Sequence, residues 1–141
     1  MNKKGFTLIE LIATIALLSI IAIIAFVSIN KVIKESKVKN CESLISNLRT
    51  AARDYVSDNR YESSFIDSAK NNLSKVDVTE GVIGHNYITT PIIDPVNNVE
   101  VTGIVHIYVK LKSNYTVEQV MIDIGSDPNN PEYTQDNWCK R

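Results

Sequence analysis

The pattern of apolar and polar positions divides the chain into an all-apolar run, an amphipathic helix and a strand-rich remainder. Residues 6–29, FTLIELIATIALLSIIAIIAFVSI, are apolar on every side, 24 residues with one charge, Glu10, and no Gly or Pro. At a helical rise of 1.5 Å per residue the run covers about 36 Å, enough for a hydrocarbon core of roughly 30 Å. A surface helix of a soluble protein keeps one polar face, and this segment has none, so it predicts a membrane-spanning helix. Periodicity then continues: Val38, Cys41, Ile45, Leu48, Ala52 and Tyr55 recur at spacings of three or four, with Leu44 and Val56 beside the same stripe. Lys39, Glu42, Arg49, Arg53, Asp54 and Asp58 fall mostly on other faces. No Gly or Pro interrupts residues 6–80, which predicts one continuous helix from Phe6 to about Ser57, roughly 78 Å long. Its second half carries a single apolar stripe that needs a covering domain, and it has too few heptads for a coiled coil.

Beyond Asn59 the signals shorten. Ser63 or Ser64 is placed to cap a short helix bearing Phe65, Ile66, Ala69 and Leu73, with Asp67 as a box partner of Ser64. From Val76 on, β-branched residues and turn formers dominate, with Gly81, Gly84, Asp94-Pro95 and Asn97-Asn98 as punctuation. The clearest strand spans Ile104 to Lys112, where Val105, Ile107, Val109 and Leu111 alternate with His106, Tyr108, Lys110 and Lys112. After a turn at Ser113-Asn114, a second strand covers about Thr116 to Ile124, with Val120, Ile122 and Ile124 on one face. A small antiparallel sheet laid on the helix stripe buries both apolar faces, which gives an α+β fold with a long N-terminal spine helix.

Composition bounds what this arrangement does. Of 141 residues, 112 lie beyond Ile29, enough for one small domain. That part holds 13 Lys plus Arg against 15 Asp plus Glu, a net of −2, with few aromatics. Nonspecific nucleic-acid binding wants a broadly basic surface or a stacking platform, and neither pattern is present, so no nucleic acid is expected as a partner. The apolar run is longer than the 7–15-residue core of a secretory signal and is followed by no A-x-A-like cut site before Asn30. Lys3 and Lys4 precede the run, but Lys31, Lys34, Lys37 and Lys39 follow it, so charge bias alone does not set the orientation.

Glu10 makes the run informative. A carboxylate at that depth costs about 2.5–3.5 kcal/mol on insertion scales, which marks it as a functional candidate. Without a partner a carboxyl in hydrocarbon takes up a proton or reaches for the interface. The run contains no Lys, Arg or His, so a cation must come from elsewhere, and cleavage just before Phe6 would create one.

Lys3-Lys4-Gly5-Phe6-Thr7-Leu8-Ile9-Glu10-Leu11 resembles the class III signal of type IV pilins and pseudopilins: a short basic leader ending in Gly, then Phe, then Glu four positions on. The resemblance implies that a prepilin peptidase cuts between Gly5 and Phe6 and methylates the new Phe6 amine. It also implies that Glu10 pairs with the Phe6 amine of a neighbouring subunit and so sets assembly register. The domains it implies are a leader (1–5), a membrane and filament-core half-helix (6–29) and an exposed pilin-like domain (30–141). Many members carry a Pro midway along the membrane helix, whereas the first proline here is Pro91. The stretch around Ile92-Ile93-Asp94-Pro95-Val96 is similar to the Asp-Pro loop before the sheet in many Gram-positive relatives.

Other chemistry is sparse. Cys41 and Cys139 are the only thiols. In an oxidising exterior they would pair and pin the tail to the spine, and the alternative is two unpaired thiols with Cys41 packing as a small apolar residue. Asp123, Asp127, Asn129 and Asp136 offer oxygens for calcium, as the C-terminal loop does in some major pseudopilins, although a solvated turn-rich loop accounts for the same residues. His85 and His106 stand without a nucleophile elbow, phosphate loop or paired-Cys metal motif, so neither enzyme activity nor a cofactor is expected. The expectation is therefore a filament subunit. It is a single-pass cell-membrane protein as precursor and part of a cell-surface filament when assembled. Its partners are other pilins, the prepilin peptidase and the pilus assembly machinery. The alternative is a membrane-anchored binding domain that does not polymerise.

Overall fold

A computed structural model describes residues 5–125 and 138–140. The chain forms two units, Met1–Ser36 and Lys37–Arg141, and one helix, α1 (Leu8–Asn59, 52 residues), contributes to both.

In the first unit α1 is long and apolar enough to cross a membrane. Its described side chains are exposed, from Phe6 and Leu8 through Ile24 and Phe26 to Ile33. The hydroxyls in this stretch turn back onto the helix, Thr14 Oγ1 donating to the Leu11 carbonyl at 2.8 Å and Ser19 Oγ to that of Ile15 at 2.7 Å. A polar group that bonds its own backbone asks nothing of an apolar surrounding.

In the second unit the helix stripe becomes the floor of the core. Cys41, Ile45, Leu48, Ala51, Ala52 and Val56 are buried, and Val38, Leu44 and Tyr55 pack partly buried beside them. The core joins them to a three-stranded antiparallel sheet of β1 (Val76–Asp77), β4 (Val105–Leu111) and β5 (Val117–Ile124), in the order β1-β4-β5. The expected alternation holds: Val105, Ile107, Val109 and Leu111 face inward from β4, and Val120, Ile122 and Ile124 from β5. Pairing runs from Val105 opposite Ile124 to Val109 opposite Val120, with a register shift at Lys110/Leu111. The hairpin closes through Tyr115 at φ 60° and Asn114, whose Oδ1 accepts from the Thr116 amide at 3.2 Å and from Thr116 Oγ1 at 2.6 Å. This is the α+β arrangement anticipated from the pattern.

Short elements complete the unit. Helix α2 (Ser63–Lys70) buries Phe65 and Ala69, but the Ser64–Asp67 box does not form. The helix starts two residues earlier than that box requires, with Glu62 as its cap and no side-chain cap bond. Ser64 is thus inside the first turn, where its carbonyl accepts from Ser68 Oγ at 2.8 Å. Helix α3 (Thr79–Gly84) lies close to Tyr55, and a Cβ on Gly81 would overlap the Tyr55 ring. That close approach is why glycine stands there. A second hairpin pairs β2 (Ile93–Asp94) with β3 (Val99–Glu100) around the Asp94-Pro95 step. Asp94 is buried and organises this turn, its Oδ1 accepting from the Val96 amide at 2.8 Å and its Oδ2 from Asn97 Nδ2 at 3.1 Å. Lys37 Nζ donates to the Val96 carbonyl at 3.1 Å and ties the turn to α1.

Cys41 and Cys139 form a disulfide with a Cα–Cα distance of 5.6 Å and a sequence separation of 98. Trp138, next to it, is 1 % exposed and is among the largest fully buried side chains. The bridge thus fastens the end of the chain to the middle of the spine helix and seats an indole in the core. In the chain-entropy picture a loop of this size contributes on the order of 4.7 kcal/mol, and measured losses run at about 2–5 kcal/mol. The full chain carrying Cys139→Ser, in detergent micelles, is therefore expected to melt at a clearly lower temperature by circular dichroism. Equal melting temperatures would show that the bridge adds nothing to the core.

Candidate functional site

The candidate site is the first turn of α1. A helix start leaves backbone N–H groups without intrahelical partners, and in or near lipid water is scarce to satisfy them. The segment Thr7-Leu8-Ile9-Glu10 solves this with a reciprocal cap. Glu10 N donates to Thr7 Oγ1 at 3.3 Å, while Glu10 Oε2 accepts from the Thr7 amide at 2.9 Å and from Thr7 Oγ1 at 2.8 Å. This is a capping box, Thr at the cap and Glu three residues on. The carboxylate also sits where the positive end of the helix dipole favours an anion. A carboxylate offers about four lone-pair positions, and these bonds fall on Oε2 alone.

The partners of Glu10 in the chain are the hydroxyl and amide of Thr7, three residues away, legible in the T-x-x-E spacing, and not a cation. The structure brings Glu10 to Thr7, one residue from Phe6, and leaves the Phe6 ring 83 % exposed. A Cβ on Gly5 would meet nothing within 4 Å. The fold itself does not require glycine at that position, so any such requirement comes from whatever binds the segment.

The remaining candidates are placed elsewhere. Asp123 lies in β5 opposite His106, while Asp127, Asn129 and Asp136 fall outside the described residues. Among the described residues no group of three or more His, Cys, Asp or Glu is placed to hold a metal. His85 stacks on Tyr55 with centroids 6.1 Å apart, and His106 on Tyr108 at 6.3 Å. Tyr55 also meets Phe65 and Tyr87 edge-on, at 6.4 and 5.5 Å. An aromatic cluster missed by sequence reasoning therefore surrounds Gly81, beside a cleft of about 600 Å³ lined by Tyr55, Asp77, Val78, Glu80, Gly81 and His85.

Residues 1–26 match the family described as the prokaryotic N-terminal methylation motif. The chain carries the class III prepilin signal of type IV pilins. A signal of this kind implies processing by a prepilin peptidase, the apolar helix fits membrane anchoring, and the motif indicates a structural protein. Neither the curated proteins nor the solved structures contain a match to it.

Two tyrosines of the second unit have pKa values raised by their surroundings. Tyr87 donates to Asp58 Oδ2 at 2.8 Å, and that hydrogen bond holds its pKa above the usual 10.0, with smaller additions from burial and the Asp58 charge. Tyr108 is raised first by burial and then by the negative charges of Asp77 and Asp123. A pKa raised on folding contributes stability that is complete below the unfolded value and is lost as pH climbs through the folded one. Asp58→Asn is therefore expected to bring the Tyr87 midpoint down, read by ring-carbon NMR across alkaline pH. Its stability deficit against wild type should be constant below about pH 10 and shrink above it. An unmoved Tyr87 midpoint would contradict the assigned cause.

Proposed function

We propose that this prepilin is the subunit of a type IV pilus or pilus-like filament. It is anchored as a precursor by residues 6–29, cut between Gly5 and Phe6, methylated on the Phe6 amine and polymerised through the apolar half of α1. The observation that carries the reading is the first turn of that helix, where an acid is held by Thr7 beside the processing point.

First, side chains such as Leu17, Ile21, Ile24 and Phe26, each more than half exposed, are favourable only in an apolar medium at about 25 cal/mol per Å². A bilayer supplies that medium before assembly, and the packed helices of sister subunits supply it afterwards. Second, Glu10 resists random stagger. Its capping bonds leave lone pairs to spare, and a methylated Phe6 amine from a neighbour is the cation that the helix itself lacks. Any stagger that leaves the acid and the amine apart strands charge in an apolar core, which costs several kcal/mol. The outer domain then forms the filament surface and carries the binding role, whether in adhesion, motility, DNA uptake or secretion.

Glu10→Leu is expected to insert into the membrane normally and to give few or no filaments in the native cell, scored by electron microscopy of sheared material. Normal filament yield would remove the register role. N-terminal mass spectrometry of the membrane fraction separates the filament subunit from an anchored domain that never polymerises. A methylated Phe6 start is expected for the subunit, and a retained leader would overturn the reading. Gly5→Val should retain the leader.

A further inference from the structure

Among the described residues of the second unit, four large apolar side chains are exposed: Tyr61, Ile93, Val99 and Ile104. Three of them belong to one corner of the fold, the β2–β3 hairpin and the turn Thr102–Ile104 that follows it. We propose that this hairpin is a membrane-contact element. Its rim, Val96 to Val99, enters the headgroup layer of the bilayer that holds the apolar half of α1, with Ile93 and Ile104 at its base.

The bonds of the hairpin fix where it lies in its unit. Lys37, the first residue of the second unit, follows the apolar run by eight positions. Its Nζ donates to the Val96 carbonyl at 3.1 Å, so the hairpin tip meets α1 where the unit begins. The opposite end of the unit is marked by Ser57, which shares a cleft with Arg60, Tyr115 and Val117. Ser57 is about 30 Å along the helix from Lys37. Ile104 is tied to the hairpin, because Val101 N donates to the Ile92 carbonyl at 2.8 Å and Ile104 N to that of Val101 at 3.0 Å. The three apolar side chains thus belong to the end of the unit that is next in the chain to the apolar run, and Tyr61 stands at the other.

Two features suit this corner to an interfacial layer. The polar groups of the turn are satisfied from within. The Val96 amide donates to Asp94 Oδ1 at 2.8 Å and Asn97 Nδ2 to Asp94 Oδ2 at 3.1 Å. The Asn98 amide donates to the Asp94 carbonyl at 2.8 Å, and the Val96 carbonyl is taken by Lys37. A backbone so satisfied loses little where water thins out. The apolar side chains also lie on both faces of the ribbon, since Ile93 stands opposite Glu100 and Val99 opposite Asp94, and successive positions of a strand point to opposite sides. A second copy seated on one face would leave the other uncovered, whereas a lipid interface surrounds a rim. Charge neither drives nor bars the contact. Lys31, Lys34, Lys37 and Lys39 are matched in number by Glu35, Glu42, Asp94 and Glu100, so the apolar side chains carry it and an uncharged leaflet suffices.

This inference rests on residues 6–29 lying in a bilayer and not on filament assembly. It is tested on the full chain, methyl-labelled at Ile, Leu and Val, in phosphatidylcholine nanodiscs loaded at one chain per disc. A lipid with a gadolinium chelate on its headgroup broadens methyl signals that come near it. The Val99 methyls are expected to broaden at least threefold more than those of Val117. Ile93→Asn combined with Ile104→Asn should cut the Val99 broadening by half or more. A ratio below threefold overturns the proposal, and so does a smaller loss in the variant, the result for a domain merely tethered by its helix. Amide shifts of β4 and β5 check folding. If the double variant does not fold, Val99→Asn read at the Val96 methyls carries the test, with the same halving expected. A lipid spin-labelled on its acyl chain reports the anchoring separately through Leu17. Broadened Leu17 with a failed Val99 ratio sinks the hairpin contact alone, and unbroadened Leu17 sinks the anchoring and the contact together. Val99 shifts that move only at two chains per disc, without lipid broadening at one, would assign the corner to a second copy and overturn the proposal.

Discussion

The outer domain hangs on the apolar stripe that α1 presents between Cys41 and Val56. Seven inward side chains of β4 and β5, from Val105 to Ile124, belong to the same buried cluster as that stripe. Burying a Leu, Ile or Val contributes roughly 1.5–3 kcal/mol, and a whole domain is stable by only about 5–15 kcal/mol. Sheet and helix cover one another's apolar faces within that cluster, so each supports the other. Ala51 and Ala52, 4 % and 0 % exposed, are buried members of the same cluster. The disulfide adds a covalent stitch at one end of the stripe, and the Tyr55 cluster fills the other.

The first half of the same helix answers to a different solvent. Hydrocarbon accepts side chains on every face but tolerates no open backbone polar group. Within the run this is met by the helix's own ladder and by hydroxyls that bond back to carbonyls. At the N-terminus the ladder ends, and the Thr7–Glu10 box takes over. A residue that looks like an electrostatic liability is thereby also part of the helix's structure. The capping bonds fall on Oε2, which leaves the other lone pairs of Glu10 for an interaction outside the chain.

Elements with many residues of one period were legible in the sequence. The α1 stripe, the all-apolar run, and β4 and β5 with their inward positions follow from periodicities of 3.6 and 2. The two-residue strands β1, β2 and β3 carry no period at all and exist because a neighbour pairs with them. Val78 N donates to the Ile107 carbonyl at 2.9 Å, and Ile107 N to Thr79 Oγ1 at 2.7 Å, contacts between positions nearly thirty residues apart. Trp138 was illegible because its burial depends on the Cys41–Cys139 bridge beside it. The two S/T-x-x-acid signals teach the opposite caution. Thr7-x-x-Glu10 forms a box and Ser64-x-x-Asp67 does not, since Ser64 falls two residues past the cap of its helix. A spacing motif states what is possible, and the position of the helix start decides whether it happens.

Net charge was the coarsest guide of all. The excess of two acids outside the run argues against a broadly basic surface, and several of those acids are spent locally. Asp94 organises a buried turn, Asp58 accepts from Tyr87, Asp77 Oδ1 accepts from the Thr79 amide at 2.9 Å, and Glu118 pairs with Lys110 at 3.0 Å. A carboxylate on a short stem reaches backbone N–H groups close by, and each such bond mutes its field toward solvent. A guanidinium on a long stem reaches past its own backbone and has no carbonyl within easy range on an exposed helix face. Charges that balance on paper are therefore not equally free in space: Asp94 and Asp77 are taken up by turns, while Arg53 is exposed with no carboxylate partner among the described residues. What a surface attracts follows from which charges remain unspent, and a sum over the sequence cannot register that difference.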